Sequence, residues 1–270
     1  MEAPNESPPA TPSPRKRAQL FRRDFLFGAA AGVTGAKAWE WAAPPGWSPW
    51  LGMPRGAKLS YAQNGEDLVV GAALASVHGT ITPTYLDVGA WEPIESNNTY
   101  FFYGMGGRGV LVEPNVAMTP KLKRARPKDV VLTAGIGVEK TAEADYYVLS
   151  GSQFNTFDKE QAERLIRDGR TKLEKIIKMP LLDINAVMAE HFGGAAPDYL
   201  SVDVEGLELP ILKTLDYARF RPKVICADTL VTGSMQHRPE AITFMASKGY
   251  ELRGLTFANS VFVDKALIDM

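Results

Sequence analysis

Two rhythms of apolar positions alternate along most of this chain. Compact apolar runs at Thr84–Val88, Val110–Val112, Val130–Thr133, Tyr199–Val202 and Pro222–Ala227 predict buried strands. Helical spacing predicts a helix from Leu68 to Ser76, with Leu68, Val69 and Leu74 on its apolar face, and a basic surface helix from Met118 to Arg126. Asp158 and Gln161 form a capping box for a helix through Ala162, Leu165 and Ile166. Asp183 caps another that runs to about Phe192 and ends at Gly193-Gly194. A fourth passes through Leu209, Ile211, Leu212 and Leu215, and a fifth starts at Pro239, runs to Ser247 and is stopped by Gly249. Tyr146–Leu149 reads as an added strand, Ser150–Phe157 as a polar loop and Ile176–Leu182 as a short strand. The chain closes on two strands, Tyr250–Arg253 and Ser260–Val263, joined by a short turn. Strands alternating with helices make an α/β, Rossmann-like fold: a mostly parallel sheet of seven strands with an antiparallel C-terminal edge.

In such a sheet every loop that follows a strand lies on the carboxyl rim, where ligands bind. That rule gathers Asp87, Gly89, Ala90, Glu113, Gly135, Asp203, Glu205 and Asp228 on one face. The first turn, Asp87-Val88-Gly89-Ala90, carries one glycine where a dinucleotide site needs G-x-G-x-x-G, which argues against NAD. An acid two residues before a single glycine is instead the pattern of S-adenosylmethionine sites, where no pyrophosphate needs cradling. Glu113 ends the next strand, at the offset from which a carboxylate accepts from two ribose hydroxyls. Asp87 either meets the amino-acid tail of such a cofactor or holds the turn through backbone N–H groups.

Three carboxylates stand within Asp203-Val204-Glu205-Gly206-Leu207-Glu208, and Asp228 ends the adjacent strand. Asp203 or Glu205 can serve as a base. Asp203 with Asp228 has a spacing that suits Mg²⁺, or the two can cap the helices that follow. Glu208, one turn into its helix, reads as a dipole-stabilising surface residue. His78 and His191 precede strands and fall on the opposite face. His237 follows the fifth strand and is the one histidine on the active face, as a candidate base or a helix-capping loop residue.

Composition narrows the field. With 270 residues, 45% of them apolar, the chain can bury one large core. A formal net charge of −1 leaves no electrostatic footprint for nucleic acid. The single cysteine, Cys226, lies in an apolar run and reads as a core residue.

Residues 1–20 form a Pro/Ser-rich basic arm with Arg15-Lys16-Arg17. Residues 21–43 place Arg22-Arg23, Phe25-Leu26, a weakly apolar stretch and Ala36-Lys37-Ala38 in the order of a twin-arginine export signal, which implies export and transient membrane contact. Residues 44–57 are a Pro/Trp-rich linker, and the folded domain occupies residues 58–270. Export conflicts with a cytosolic cosubstrate that is consumed at each turnover, so a cytoplasmic domain is the close alternative.

From about Ser60 to Val263 the chain resembles the FkbM family of S-adenosylmethionine-dependent methyltransferases. The resemblance rests on Y-A-Q-N-G-E-D at Tyr61–Asp67, L-D-V-G-A at Leu86–Ala90, N-T-Y-F-F-Y at Asn98–Tyr103, G-V-L-V-E-P-N at Gly109–Asn115, G-I-G at Gly135–Gly137 and L-S-V-D-V-E-G-L-E at Leu200–Glu208. Lys248-Gly249-Tyr250 and Asn259 complete it. It implies the class I methyltransferase fold and O-methylation of a sugar, lipid or other small-molecule acceptor. The alternative is a catalytically silent S-adenosylmethionine-binding or glycan-binding protein with the same fold. Trp91 and Glu92 depart from the family, whose members often carry His and Asp at that turn, and the export-like segment is not typical of it.

Overall fold

The computed structural model describes residues 58–79, 81–231 and 234–269, together with the short pairs 47–48 and 53–54. The expectations for the basic arm, the twin-arginine-like segment and most of the linker lie outside the described residues. The chain divides into two compact units, Met1–Leu59 and Ser60–Met270. In the first, Trp47–Ser48 pairs antiparallel with Met53–Pro54. Among the described residues no helix is long and apolar enough to cross a membrane.

The second unit runs α1 (Glu66–His78), β1 (Thr84–Val88), α2 (Tyr100–Gly104), β2 (Arg108–Val112), α3 (Thr119–Ala125), β3 (Val130–Leu132), β4 (Gly135–Ile136), β5 (Glu143–Leu149), α4 (Lys159–Arg167), β6 (Leu173–Leu182), α5 (Ile184–His191), β7 (Tyr199–Val202), α6 (Glu208–Thr214), β8 (Val224–Asp228), α7 (Pro239–Ser247), β9 (Tyr250–Leu255) and β10 (Asn259–Asp264). Seven strands form the main sheet in the order β9-β10-β8-β7-β1-β2-β3. The five from β8 to β3 are parallel, and β10 pairs antiparallel with both β8 and β9. This is the mostly parallel sheet with an antiparallel C-terminal edge that the class I methyltransferase layout requires.

Alternation along each strand sends side chains to two cores. Leu86, Val88, Val110, Val112, Leu200, Val202, Ile225 and Ala227 pack with Ile184 and Met188 of α5, Ile211 and Leu212 of α6 and Met245 of α7. Tyr85, Leu111, Tyr199 and Cys226 face Val70 and Leu74 of α1, Phe102 of α2 and Leu122 of α3. Asp87, in register with Tyr85 by the two-residue repeat, therefore belongs to the α1–α3 face.

Three expectations need correction. The helix ending at Arg126 is basic on its outer side alone, because Met118, Leu122 and Arg126 are buried. Its three other cations face water, and Arg126 is held inside by ion pairing described below. Glu208 is buried rather than a surface residue. The segments read as a lone added strand and a short strand are longer, β5 and β6, and pair with each other and with β4 in a second, three-stranded sheet. Charged positions interrupt the apolar rhythm of β6, most of which stays exposed, so periodicity shortened it.

Candidate cofactor and acceptor site

The ends of β1, β2, β7 and β8 surround a cavity of about 450 Å³, lined by Asp87, Gly89, Ala90, Trp91, Glu113, Gly135, Asp203, Glu205 and Asp228 among others. Eight of the nine rim residues that the sequence offered are thus brought together here. His237 is not among the lining residues. Its Nδ1 lies 2.7 Å from Thr229 Oγ1, which in turn lies 2.6 Å from Ser260 Oγ, both hydroxyls being buried.

On the β1–β2 side, two carboxylates are held in different ways. Asp87 is buried, and its Oδ2 accepts from Thr99 Oγ1 at 2.6 Å and from Asn97 Nδ2 at 3.5 Å. Burial raises its pKa, while the Arg126 guanidinium and the Thr99, Ser201 and Asn97 side chains oppose the rise. Glu113 spends each oxygen on a backbone N–H: Oε2 accepts from Trp91 at 2.8 Å and Oε1 from Asn115 at 2.7 Å. Burial nevertheless pushes its carboxyl up to about 7, against the pull of those two bonds and helped by the nearby Asp87 charge.

Beneath them lies a fully buried cation that periodicity could not expose. Arg126 Nε donates to Asp129 Oδ2 at 2.8 Å, and Tyr85 OH donates to the same oxygen at 2.7 Å. Its other two nitrogens reach Asn97 Oδ1 and Thr99 Oγ1, both at 2.9 Å. Asn97 Nδ2 also donates to the carbonyls of Ala90 and Glu92, at 2.9 and 3.0 Å, and so fixes the turn after β1.

The β7–β8 side is acidic. Ligand atoms of Asp203, Glu208 and Asp228 lie within 4.8 Å of one another. Burial, then the charges of Asp228, Glu205, Glu208 and Asp87, hold the Asp203 carboxyl well above the ordinary carboxylate range. Burial with Glu208 and Asp228 beside it pushes Glu205 up to about 7, and burial with Glu208 does the same to Asp228. Glu208 Oε1 accepts from Val204 N and Gly206 N, both at 3.0 Å, which explains its burial: it pins the loop that carries Glu205. That loop is strained, with Glu205 at φ 58°. Trp91 and Ser96, the other described non-glycine residues with positive φ, line the same cavity.

The loop read as merely polar, residues 150–157, supplies a wall. Trp91 Nε1 donates to Ser152 Oγ at 3.1 Å, Thr156 Oγ1 donates to the Glu205 carbonyl at 3.2 Å, and Asn155 and Thr156 are buried. Gly135 is glycine because a Cβ there would meet the Phe157 ring at 2.5 Å.

Residues 87–252, more than half of the chain, match the methyltransferase FkbM domain. The chain belongs to the FkbM methyltransferase family. No curated protein matches it. Among solved structures it is similar to the Burkholderia thailandensis 1,6-didemethyltoxoflavin-N1-methyltransferase with bound 1,6-didemethyltoxoflavin and S-adenosylhomocysteine. That match has 13% identity, a TM-score of 0.38 and coverage of 97% of this chain and 94% of that one. It is similar also to a TehB-like SAM-dependent methyltransferase from Corynebacterium glutamicum, at 11% identity and a TM-score of 0.39, covering 93% of this chain and 100% of that one. Neither likeness is close enough to bring a ligand or an acceptor to this FkbM domain.

Proposed function

We propose that the cavity binds S-adenosylmethionine and that the domain methylates a hydroxyl of a sugar, lipid or other small-molecule acceptor. One observation carries the reading: a single cavity has Asp87 and Glu113 at the ends of adjacent strands on one side and Asp203, Glu205 and Asp228 on the other. The residues present suit the cofactor. Its size fits a cavity of about 450 Å³. The Asp87 carboxylate suits an ammonium, the Glu113 oxygens retain lone pairs for ribose hydroxyls, and Gly135, Ile136 and Phe157 offer an apolar surface to a base.

When bound, S-adenosylmethionine supplies a methyl group on a sulfonium, so the protein has to align the acceptor and remove its hydroxyl proton. Glu205, with a carboxyl at about 7, suits that proton transfer near neutral pH. In this reading Asp203, whose carboxyl is held well above the ordinary carboxylate range by burial and by Asp228 and Glu205, hydrogen-bonds the acceptor oxygen. No step is routed through Mg²⁺; if that ion binds, Asp203, Glu208 and Asp228, whose ligand atoms lie within 4.8 Å of one another, are the residues that would hold it. The Arg22-Arg23 segment is proposed to direct export, and the working compartment follows from that.

The test is mass spectrometry of the small molecules that co-purify with the chain from its own cell. A bound S-adenosyl thioether supports the reading. A bound dinucleotide or nucleotide sugar overturns it.

A further inference from the structure

Asp87 approaches the cavity from the crowded helix side of the sheet, and the hydrogen-bond polarity around it is fixed by one group. A guanidinium only donates, so Thr99 Oγ1 must accept from Arg126 Nη2 at 2.9 Å and send its own hydrogen elsewhere. Two acceptors are in range, Asp87 Oδ2 at 2.6 Å and Asn97 Oδ1 at 3.2 Å. Asn97 Oδ1 already takes Arg126 Nη1 at 2.9 Å and the backbone N–H groups of Thr99 and Tyr100 at 3.0 and 2.7 Å. The Thr99 hydrogen therefore goes to Asp87. Arg126, Thr99 and Asp87 are all buried, so water does not substitute for a missing link.

We propose that Arg126 is a positioning residue for cofactor binding, acting through the Thr99 hydroxyl to orient the Asp87 carboxylate toward the ammonium of the cofactor's amino-acid tail. The inference rests on the cofactor reading above and adds to it the relay that makes Asp87 competent. Arg126 has a second anchor in Asp129, which leaves the guanidinium with charge balance of its own and holds it still while it orders Thr99. The relay also explains why an arginine on a helix of otherwise solvated cations is buried. A lysine could not reach Asp129, Asn97 and Thr99 from one planar fork.

The test uses two ligands that share the adenosine part: S-adenosylhomocysteine, which has the amino-acid tail, and 5′-methylthioadenosine, which lacks it. Calorimetry on the full chain and on Thr99→Val is expected to show about a tenfold to hundredfold loss for S-adenosylhomocysteine, the range for a hydrogen bond to a charged group, with 5′-methylthioadenosine unchanged. Thr99→Ser, which keeps the hydroxyl, is expected to restore wild-type binding. Equal loss of both ligands in Thr99→Val, or no loss of either, overturns the relay. If Thr99→Val does not fold, Arg126→Lys replaces it, since an ammonium cannot hold Asp129, Asn97 and Thr99 at once. The relay predicts the same selective loss there, and an equal loss of both ligands overturns it. A wild-type chain that binds 5′-methylthioadenosine and S-adenosylhomocysteine equally overturns the Asp87 contact. One that binds neither overturns the cofactor reading itself.

Discussion

A Cβ built on Gly89 would stand 1.8 Å from the carbonyl oxygen of Asp203. The turn after β1 and the end of β7 are therefore in backbone contact, and the two halves of the cavity share one wall. Gly89 also sits at φ 87°, a conformation that other residues adopt at a cost of roughly 1–2 kcal/mol. Gly89→Ala must displace one strand end from the other. We expect a lower thermal midpoint together with at least about a tenfold loss of cofactor affinity. A variant with wild-type midpoint and affinity contradicts the contact.

Folding pushes three carboxyls up to about 7: Glu113 and Glu205 from 4.5 and Asp228 from 3.8. Between those ordinary values and about 7 the folded chain holds more protons than the unfolded one, so stability falls as pH rises through that window. The stability from these groups is fully present below about pH 4 and is lost above about 7. Thermal midpoints of the ligand-free protein should be higher at about pH 5.5 than at about pH 8. A midpoint that climbs over the same interval contradicts the burial of these groups.

The base is tested by kinetics once an acceptor is in hand. Glu205 must be ionised to accept a proton, so turnover should rise with pH through about 7. Glu205→Gln should lose about a hundredfold or more of kcat with cofactor affinity kept, and Asp203→Asn should lose less, since an amide still donates a hydrogen bond. Full turnover in both variants removes the acidic side from the chemistry.

Much of this was legible in the chain, and the residues that escaped notice did so for physical reasons. Strands buried on both faces print continuous apolar runs, and single acids or glycines at their ends stand out, which placed Asp87, Gly89, Glu113, Asp203 and Glu205 at the rim. Arg126 and Glu208 were hidden because charge normally signals solvent; their partners, Asp129 and the Val204 and Gly206 N–H groups, lie within four residues of them but leave no mark on the apolar pattern. The wall formed by Asn155 and Thr156 carries a polar loop's composition, and its burial comes from hairpin contacts with Leu149 and Tyr147 and from a distant one with Glu205. His237 lies after the expected strand, yet Thr229 holds it outside the cavity lining.

The proposed export signal is tested by fractionating cells that express the full chain beside an Arg22→Lys, Arg23→Lys variant. Export predicts that wild type leaves the cytosol with a shortened N-terminus and that the variant stays behind intact. Equal cytosolic retention of both, each with an intact N-terminus by mass, contradicts it.

The most direct test of the central claim is calorimetric titration of the chain with S-adenosylhomocysteine, repeated on Glu113→Ala. Both Glu113 oxygens hold the turn through Trp91 and Asn115, so the substitution removes the proposed ribose contact and loosens the turn at once. The account predicts one site per chain in wild type and a loss of about 1.5–3 kcal/mol of binding in the variant. Wild-type affinity in Glu113→Ala, or no binding by the wild-type chain, would contradict it.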